Sequence, residues 1–167
     1  MLIRNAVQKD LPQIMKIYEN ARSYMRKTGN PTQWSGGYPG EDVIRQDMDK
    51  GNFYVCENEN RIVGVFTFFM GGDPNYIRID QGSWHSDAPY GTIHRVASDG
   101  STRGFASICF SFCLEKCSYL RIDTHRDNRP MQKALHKFGF RQCGIVYMED
   151  GTERIAFDFM RETERSH

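Results

Sequence analysis

The segment from Thr92 to Thr124 constrains the fold of this chain more than any other. It begins with a strand-like run, Thr92–Ala97, and passes through a polar turn, Ser98–Thr102. An apolar stretch, Gly104–Cys117, and a second strand-like run, Tyr119–Thr124, follow. The apolar stretch suits a helix that is covered on most sides. A strand, about a dozen helical residues and another strand form a βαβ unit, whose strands are parallel and whose crossover is right-handed. The chain is therefore predicted to contain a sheet with at least one parallel pair.

The sequence on either side of this unit alternates between strand and helix signals. Asp10, with Gln13 three residues later, is predicted to cap a first helix that Gly29 stops. Residues 75–91 have no clear helix or strand pattern and are predicted to form a folded excursion from the sheet. The predicted strands are Leu2–Asn5, Phe53–Glu57, Arg61–Phe69, Thr92–Ala97, Tyr119–Thr124, Phe140–Met148 and Arg154–Phe159. The predicted helices after the first are Glu41–Lys50, Gly104–Cys117 and Asn128–Phe138.

Length and charge narrow the classes of function. The 167 residues are predicted to form one domain, residues 1–160, followed by a flexible tail, residues 161–167. A net charge of +1, with both signs mixed along the chain, favours neither nucleic acid nor an anionic membrane as the main partner. The first residues lack signal-peptide character, and the longest apolar run, Ile62–Met70, is far shorter than the roughly 20 residues that span a bilayer. We expect a cytoplasmic protein.

Five cysteines, an odd number, favour a reducing compartment over a disulfide framework. Cys109, Cys113 and Cys117 recur at intervals of four and would line one stripe of a helix. Zinc sites more often use a close cysteine pair or a histidine partner at set spacing, whereas buried free cysteine is common in cores. The three cysteines are predicted to be core residues, and no metal is expected.

The turn before the apolar helix has the composition of an anion site. A helix start offers unpaired amide groups and the positive end of the macrodipole, and both attract phosphate. Gly104 and Ala106 would let an anion approach the backbone, and Thr102, Arg103 and Ser107 could add hydroxyls and a cation. An ordinary turn is the alternative. A Walker loop would need a Gly-Lys-Ser/Thr triplet, which the chain lacks, and a Rossmann fingerprint would need three spaced glycines near an early strand.

Over nearly its whole length, the order of predicted elements resembles the GNAT acyltransferase superfamily. In that family the helix after the fourth strand carries the pattern Gln/Arg-x-x-Gly-x-Gly/Ala, whose amides bind the pyrophosphate of coenzyme A. Here Gly104 and Ala106 match the pattern, whereas Ser101 replaces the usual Gln or Arg. The resemblance implies an α/β (α+β) fold with a mixed central sheet of about six to seven strands, about four flanking helices and a splay between the fourth and fifth strands. It also implies acetyl-CoA as co-substrate.

The same resemblance implies which residues contact the cofactor. The fourth strand would pair its backbone with the pantetheine amides, and Asn128, which opens the helix before the Gly139-Phe140 pair, would contact the pantetheine or phosphate part. Asn128 could equally cap that helix. Many members place a tyrosine on this helix to protonate the leaving thiolate, but Leu135 occupies the position here, so no acid is assigned. The implied cofactor-binding residues are Val96, Ala97, Ser101, Thr102, Arg103, Gly104, Phe105, Ala106, Ser107 and Asn128.

Acyl transfer to an amine also requires that the amine lose a proton, because an amine with a pKa near ~10 is mostly protonated at pH 7. His94, on the fourth strand, is the candidate base, with a hydrogen-bonded structural histidine as the alternative. His125, just past the fifth strand, is a weaker candidate. Asp123 is expected to pair with Arg121 or Arg95 rather than to act as a base.

Aromatic residues concentrate in the two irregular segments, on the side where the family binds the acceptor. They can close over a substrate or simply pack the domain. The candidate substrate-binding residues are Trp34, Tyr38, Tyr76 and Trp84.

These observations predict an N-acyltransferase that moves an acetyl group from acetyl-CoA to an amine of a small molecule or peptide by direct attack in a ternary complex. The main alternative is a non-catalytic acyl-CoA-binding module or sensor, which the missing tyrosine and Ser101 favour. A third alternative is an interaction domain without cofactor binding. The oligomeric state is left open, with a homodimer as one option.

Overall fold

The computed structural model describes residues 1–162, and these contain seven strands and four α-helices. The strands are β1 (Leu2–Asn5), β2 (Phe53–Asn58), β3 (Arg61–Met70), β4 (Gly91–Ser98), β5 (Tyr119–Thr124), β6 (Arg141–Tyr147) and β7 (Glu153–Met160). The helices are α1 (Leu11–Lys27), α2 (Glu41–Asp49), α3 (Phe105–Lys116) and α4 (Arg129–Phe138). The predicted elements are confirmed, with ends that coincide or differ by one residue. None of the helices in residues 1–162 is long and apolar enough to cross a membrane.

The seven strands form one mixed sheet in the order β1-β2-β3-β4-β5-β7-β6. β1–β2, β2–β3, β5–β7 and β6–β7 are antiparallel, and β4–β5 is parallel, as the βαβ unit requires. The β4–β5 ladder consists of two pairs, Gly91 with Leu120 and Thr92 with Arg121. Six residues of β4 follow that ladder. The expected α/β fold class is confirmed, and the short ladder is compatible with the expected splay between the fourth and fifth strands.

The chain divides into two compact units. One comprises Met1–Phe69 with Ile93–Ala106, and the other comprises Met70–Thr92 with the chain from Ser107 onward. The core of the first unit packs α1 and α2 residues on β2 and β3, and its buried members include Ile14, Tyr18, Ile44, Phe53 and Val65. The predicted single domain, residues 1–160, stays a prediction.

In the second unit, one cluster joins the excursion between β3 and β4 to the β6–β7 hairpin. It consists of Tyr76, Cys143, Val146 and Ala156, with Trp84 and Tyr90 packed against it among others. The excursion is held to β6 by a two-way backbone bridge, in which the amides of Asp80 and Ile145 donate to each other's carbonyls at 2.9 and 2.8 Å. The predicted folded excursion therefore forms part of this unit's core.

The predicted cap of α1 is wrong in its mechanism. Asp10 occupies the N-cap position, but its side chain makes no capping hydrogen bond. It accepts instead from the Arg4 guanidinium, at 2.7 and 3.0 Å, and from the amide of Val7 at 2.8 Å. The Arg4 guanidinium holds the pKa of Asp10 below its usual range. A nearby cation thus outcompetes the helix amides for the carboxylate.

Most of the tail predicted to be flexible lies outside the described residues, since residues 163–167 are not described. Arg161, at its start, donates from its amide to the carbonyl of Ser118 and from its guanidinium to the carbonyl of Leu114, both at 2.7 Å.

Candidate active site

The segment between β4 and α3 has the exposed glycine that the sequence analysis singled out. Gly104 is exposed and has a positive φ of 69°, a backbone conformation that residues with a β-carbon rarely adopt. Upstream, Asp99 accepts from the amide and hydroxyl of Ser101, at 2.9 and 2.6 Å. The turn is therefore shaped by its own side chains before the glycine, which then directs the chain into the helix. An exposed helix entry with no side chain at Gly104 and a methyl group at Ala106 is a cradle that fits a diphosphate.

The first residue of α3 is fixed by a close approach to β3. The ring of Phe105, which is 6% exposed, lies so near Gly64 that a β-carbon at Gly64 would overlap it. Gly64 is itself paired with Cys56 within the β2–β3 hairpin. The position of the helix entry therefore depends on a glycine forty residues earlier, which sequence reasoning did not identify.

An unusual residue lies in the middle of β4. Arg95 has a positive φ of 55°, although it is neither glycine nor in a turn. Its guanidinium donates to Asp47 at 2.7 and 2.9 Å and to the Tyr38 hydroxyl at 2.8 Å, while its carbonyl accepts from the Tyr18 hydroxyl at 2.6 Å. Asp47 also accepts from Thr67 at 2.7 Å. This network holds an irregular backbone at the strand that the family uses for pantetheine.

The other residues expected on β4 are distributed along the same strand. His94 is half-buried, with its ring centroid 5.8 Å from that of Phe69. Val96 is half-buried, and Ala97 belongs to the core of the first unit. Their assigned roles, base for His94 and backbone pairing for Val96 and Ala97, stay predictions.

A cavity of about 410 Å³ opens in the second unit and is lined by residues of the excursion and by Arg121. This volume lies within the usual range for a small-molecule site, roughly 300–1,000 Å³. Two predicted substrate-binding residues, Tyr76 and Trp84, line it, and their ring centroids are 5.1 Å apart. The remaining lining residues are Gly72, Asp73, Pro74, Ile77, Asp87, Tyr90 and Arg121.

The other two candidate substrate residues lie in the first unit. Trp34 is only 9% exposed and packs edge-on against Tyr18, with ring centroids 5.5 Å apart. Tyr38 is 38% exposed, and its hydroxyl accepts from Arg95. A role in acceptor binding stays a prediction for all four residues.

Tyr76 and Asp123 form a short acid–hydroxyl pair in this unit. The Tyr76 hydroxyl donates to Oδ2 of Asp123 at 2.5 Å. Burial, reinforced by the Asp123 charge, raises the pKa of Tyr76 well above its ordinary value. The expected ion pair of Asp123 with Arg121 or Arg95 is wrong, because Arg95 pairs with Asp47 and Arg121 donates to Tyr119 and Ser86.

Arg121 occupies the centre of an aromatic sandwich. Its guanidinium carbon lies 4.2 Å from the centroid of the Trp84 ring and 4.0 Å from that of the Tyr90 ring. Cation–π contacts of this kind stabilise the charge of a guanidinium that is buried away from water. No sequence signal predicts this arrangement, because Arg121 lies on an apolar strand more than thirty residues from both rings.

Residues after β5 have local structural roles. The Asn128 side chain accepts from the amide of Met131 at 3.2 Å, which confirms the capping alternative and leaves a cofactor contact as a prediction. His125 accepts through Nδ1 from the amide of Asp127 at 3.0 Å, and burial lowers its pKa. Its catalytic role stays a prediction. Leu135 is fully buried, so the family's usual tyrosine position is a core position here.

The cysteine predictions are confirmed for two residues of α3. Cys109 and Cys113 are fully buried, whereas Cys117 is half-buried at the helix end. Burial raises the pKa of the Cys117 thiol. A fourth cysteine, Cys143, is buried beside His85 with Sγ 3.4 Å from Nδ1, and burial followed by the Asp158 carboxylate raises the pKa of its thiol. These environments make a reactive thiolate unfavourable.

Cys143 belongs to a cluster that sequence spacing does not reveal. Asp158, 2% exposed, accepts from both the ring Nδ1 and the amide of His85, at 2.6 and 2.8 Å, and from the Tyr119 hydroxyl at 2.7 Å. The ligand atoms of His85, Cys143 and Asp158 lie within 4.8 Å of one another, as in some metal sites. Hydrogen bonds already occupy both carboxylate oxygens, so the arrangement is best described as a latch that ties the excursion to β7.

Comparison with solved structures identifies the family. An acetyltransferase of the GNAT family from Streptococcus agalactiae 2603 shares 31% sequence identity with this chain and superposes on it with a TM-score of 0.88. The match covers 97% of this chain and 96% of the other. The chain belongs to the GNAT family. Its resemblance to that family, inferred from element order and the Ser101–Ala106 pattern, is therefore confirmed, and acyl transfer is the general chemistry that the family supports.

More distant GNAT-like structures share the fold alone. A putative acetyltransferase from Staphylococcus aureus Mu50 is 22% identical over 96% of this chain and 99% of its own, with a TM-score of 0.70. A ribosomal-protein-alanine N-acetyltransferase from Brucella melitensis is 18% identical over 96% and 99%, with a TM-score of 0.64. No family model and no curated protein matches the sequence.

Proposed function

We propose that this GNAT protein is an N-acetyltransferase that moves an acetyl group from acetyl-CoA to the amine of a small molecule or peptide. The observation that carries the proposal is the exposed, left-handed Gly104 at the entry to α3, in a chain that belongs to an acyl-CoA-dependent family. Amides at this entry would hold the pyrophosphate, with Thr102, Arg103 and Ser107 beside them. Val96 and Ala97 on β4 and Asn128 at the start of α4 would contact the pantetheine arm.

We propose that the acceptor amine attacks acetyl-CoA directly. Acetyl-CoA would supply a thioester, whose carbonyl carbon is the electrophile. The acceptor nitrogen forms a bond to that carbon, the carbon–sulfur bond breaks, and the departing thiolate takes a proton from solvent. A thiol with a pKa near ~8.5 needs little help to leave, so the missing tyrosine at Leu135 is not prohibitive. We expect no acyl-cysteine, since burial raises the pKa of the Cys117 and Cys143 thiols.

Two routes could take the proton from the acceptor amine. His94 on β4 is one. The other is the Tyr76–Asp123 pair: Tyr76 lines the cavity and donates to Asp123, so its oxygen can receive a proton as its own moves to the carboxylate. The last β4–β5 pair includes Arg121, and Asp123 lies two residues beyond it on β5. In the family, the thioester enters between the two strands beyond such a pair. We favour the Tyr76–Asp123 pair because its geometry supplies both a donor and an acceptor.

Calorimetric titration with acetyl-CoA, followed by turnover of an amine panel, tests this proposal. Products are followed by mass spectrometry of the acetylated amine, because free cysteines such as Cys117 would react with thiol reagents. Saturable binding with turnover is expected. Binding without turnover of any amine would support the alternative, a non-catalytic acyl-CoA sensor, and failure to bind any coenzyme A ester would reject both. Intact-protein mass after incubation with acetyl-CoA alone should show no added acetyl group.

We also expect a cytoplasmic protein without nucleic-acid, membrane or metal partners. A homodimer is one proposed oligomeric state. Light scattering measures the mass of the protein in solution and so tests it on the same sample.

A further inference from the structure

Arg121 is a buried cation that forms no ion pair within residues 1–162. The residue is 7% exposed, and its hydrogen bonds go to neutral groups: Nε donates to the Tyr119 hydroxyl at 3.2 Å and one Nη donates to the carbonyl of Ser86 at 2.8 Å. The Tyr119 hydroxyl that Arg121 contacts donates in turn to Asp158 at 2.7 Å, so this carboxylate is linked to Arg121 through a neutral hydroxyl. A buried charge without a partner of opposite sign is unfavourable, so such a group indicates either strong local compensation or a missing anion.

Local compensation accounts for part of the arrangement. The aromatic faces of Trp84 and Tyr90 lie on the guanidinium at 4.2 and 4.0 Å, and Tyr119 lies at 5.3 Å. These rings stabilise the positive charge by contacting the flat faces of the guanidinium. They leave the edge of the guanidinium plane unaffected. On that edge, Nη1 has no hydrogen-bond partner in the part of the chain that the structure describes, although an arginine carries five N–H donors.

The unused edge belongs to a residue that lines the cavity of about 410 Å³. The same cavity has carboxylates in its wall. Asp73 is 7% exposed and accepts from the amide of Asn75 at 2.8 Å, and Asp87 is exposed. A cation at one part of a small aromatic cavity and carboxylates at another complement a molecule that carries both charges.

We infer that the acceptor is a zwitterionic amine bearing a carboxylate, which the Arg121 guanidinium binds through Nη1. This inference rests on the proposed N-acetyltransferase function and specifies its substrate class. The carboxylate supplies the anion that Arg121 lacks, the rings of Tyr76 and Trp84 contact the apolar part of the molecule, and Asp73 and Asp87 attract the ammonium group before it loses its proton. An arginine suits this role because its guanidinium stays charged and an Nη1–H makes a charge-assisted hydrogen bond to a carboxylate oxygen.

Matched acceptors test the inference with the unmodified protein. An amino acid, its carboxamide and the corresponding decarboxylated amine are compared by kcat/KM, corrected to the fraction of neutral amine at the assay pH. A hydrogen bond to a charged group is worth about 1.5–3 kcal/mol, so the carboxylate form should be favoured about 10-fold to 100-fold. Equal kcat/KM for the three forms would overturn the inference while leaving the proposed function intact.

The variant Arg121→Gln should reduce that preference to less than about 3-fold, since the charge is lost while hydrogen-bonding capacity is kept. Arg141→Gln, on the exposed first residue of β6, is the matched control and should keep the wild-type preference. Equal preference in Arg121→Gln and wild type would also reject the assignment.

A binding measurement covers two further cases, that Arg121→Gln does not fold and that no amine is turned over. Short carboxylic acids and the equivalent neutral amides are titrated into the wild-type protein saturated with coenzyme A, with binding followed by calorimetry. Saturable binding of the acid, and weaker binding of the amide, supports the inference. Absence of any difference overturns it. Carboxylate binding in a protein that turns over no amine would reject the enzyme while keeping the anion site, so the two failures are distinguishable.

Discussion

The hydroxyl of Tyr76 lies 2.5 Å from Oδ2 of Asp123, although the two residues are 47 positions apart. Tyr76 belongs to the excursion between β3 and β4, and Asp123 belongs to β5. The pair thus joins the wall of the cavity to the strand that forms the parallel ladder. A fully buried tyrosine bonded to a carboxylate can move a proton without becoming charged.

If the pair takes the proton from the acceptor, Tyr76→Phe should lower kcat about 100-fold or more, since general acid–base catalysis contributes roughly 100-fold to 10,000-fold. The affinity for acetyl-CoA should change little, because Tyr76 lines the cavity proposed for the acceptor and is not among the residues proposed to bind coenzyme A. Tyr24→Phe, which removes a hydroxyl from a residue that is 59% exposed, is the matched control. Steady-state kinetics with the best amine of the panel provides the measurement.

The double variant Tyr76→Phe/Asp123→Asn sharpens this prediction. Residues that act as one unit have strongly non-additive effects, so the double variant should be no slower than the slower single variant. Comparison of the single variants His94→Ala and Tyr76→Phe tests the other proposed base, His94. An unaltered kcat in Tyr76→Phe together with a large loss in His94→Ala would assign the proton transfer to the histidine.

Substitution at Gly104 addresses the other half of the site. Gly104→Val places a branched side chain where φ is 69°, and it fills the space over the helix entry. We expect the dissociation constant for coenzyme A to rise at least about 10-fold, a free-energy change of roughly 1.4 kcal/mol. Gly151→Val, in the β6–β7 turn with a φ of 85°, carries the same backbone penalty away from that entry. Equal calorimetric affinity for the two variants would contradict the pyrophosphate site.

The contact between Gly64 and Phe105 gives an independent test of how the helix entry is held. Gly64→Ala would force its methyl group into the Phe105 ring, and overpacking of this kind costs about 1–3 kcal/mol. The free energy of unfolding, measured by urea denaturation, should fall by that amount. Adding Phe105→Leu should recover part of the loss, because the smaller side chain makes room for the methyl group. Greater destabilisation in the double variant than in Gly64→Ala would contradict the steric cause.

The regular elements could be predicted from sequence because their signals are local. The parallel pair flanking α3 followed from the order strand, helix, strand, and the entry to α3 followed from Gly104 and its small neighbours. The cap of α1 failed because Arg4, six residues before Asp10, competes for the carboxylate. Local pattern rules do not include such a competitor.

The chemistry of the cavity depends on contacts that no local signal contains. Residues 75–91 have neither helical nor strand periodicity, so nothing in the sequence indicates that Trp84 and Tyr90 cover Arg121 or that Tyr76 meets Asp123. The same holds for Arg95, whose positive φ is stabilised by Asp47 from α2. These arrangements are fixed by tertiary packing, which the alternation of side chains does not encode.

The Asp158 latch should make stability depend on pH in acid. Burial alone would raise the pKa of Asp158, but hydrogen bonds from His85, Tyr119 and Cys143 outweigh it and hold the pKa below the ordinary value. A carboxyl group whose pKa is lower in the folded state stabilises the fold above its unfolded pKa of ~3.9, and that stabilisation is lost as the pH falls through the folded pKa. Asp158→Asn should therefore cost about 3 kcal/mol at pH 7, because donors remain buried opposite an amide.

Urea denaturation of both proteins at a series of pH values from neutral to about pH 3 measures this effect, since other acidic groups cancel in the difference. The gap between wild type and Asp158→Asn should stay constant down to about pH 5 and then narrow through and below the unfolded pKa. Asp150→Asn, the same change on an exposed turn, should leave a much smaller gap throughout. A gap that stays constant down to pH 3 would mean that Asp158 remains ionised there or that its charge does not stabilise the fold, and in either case the latch would not account for loss of stability in acid.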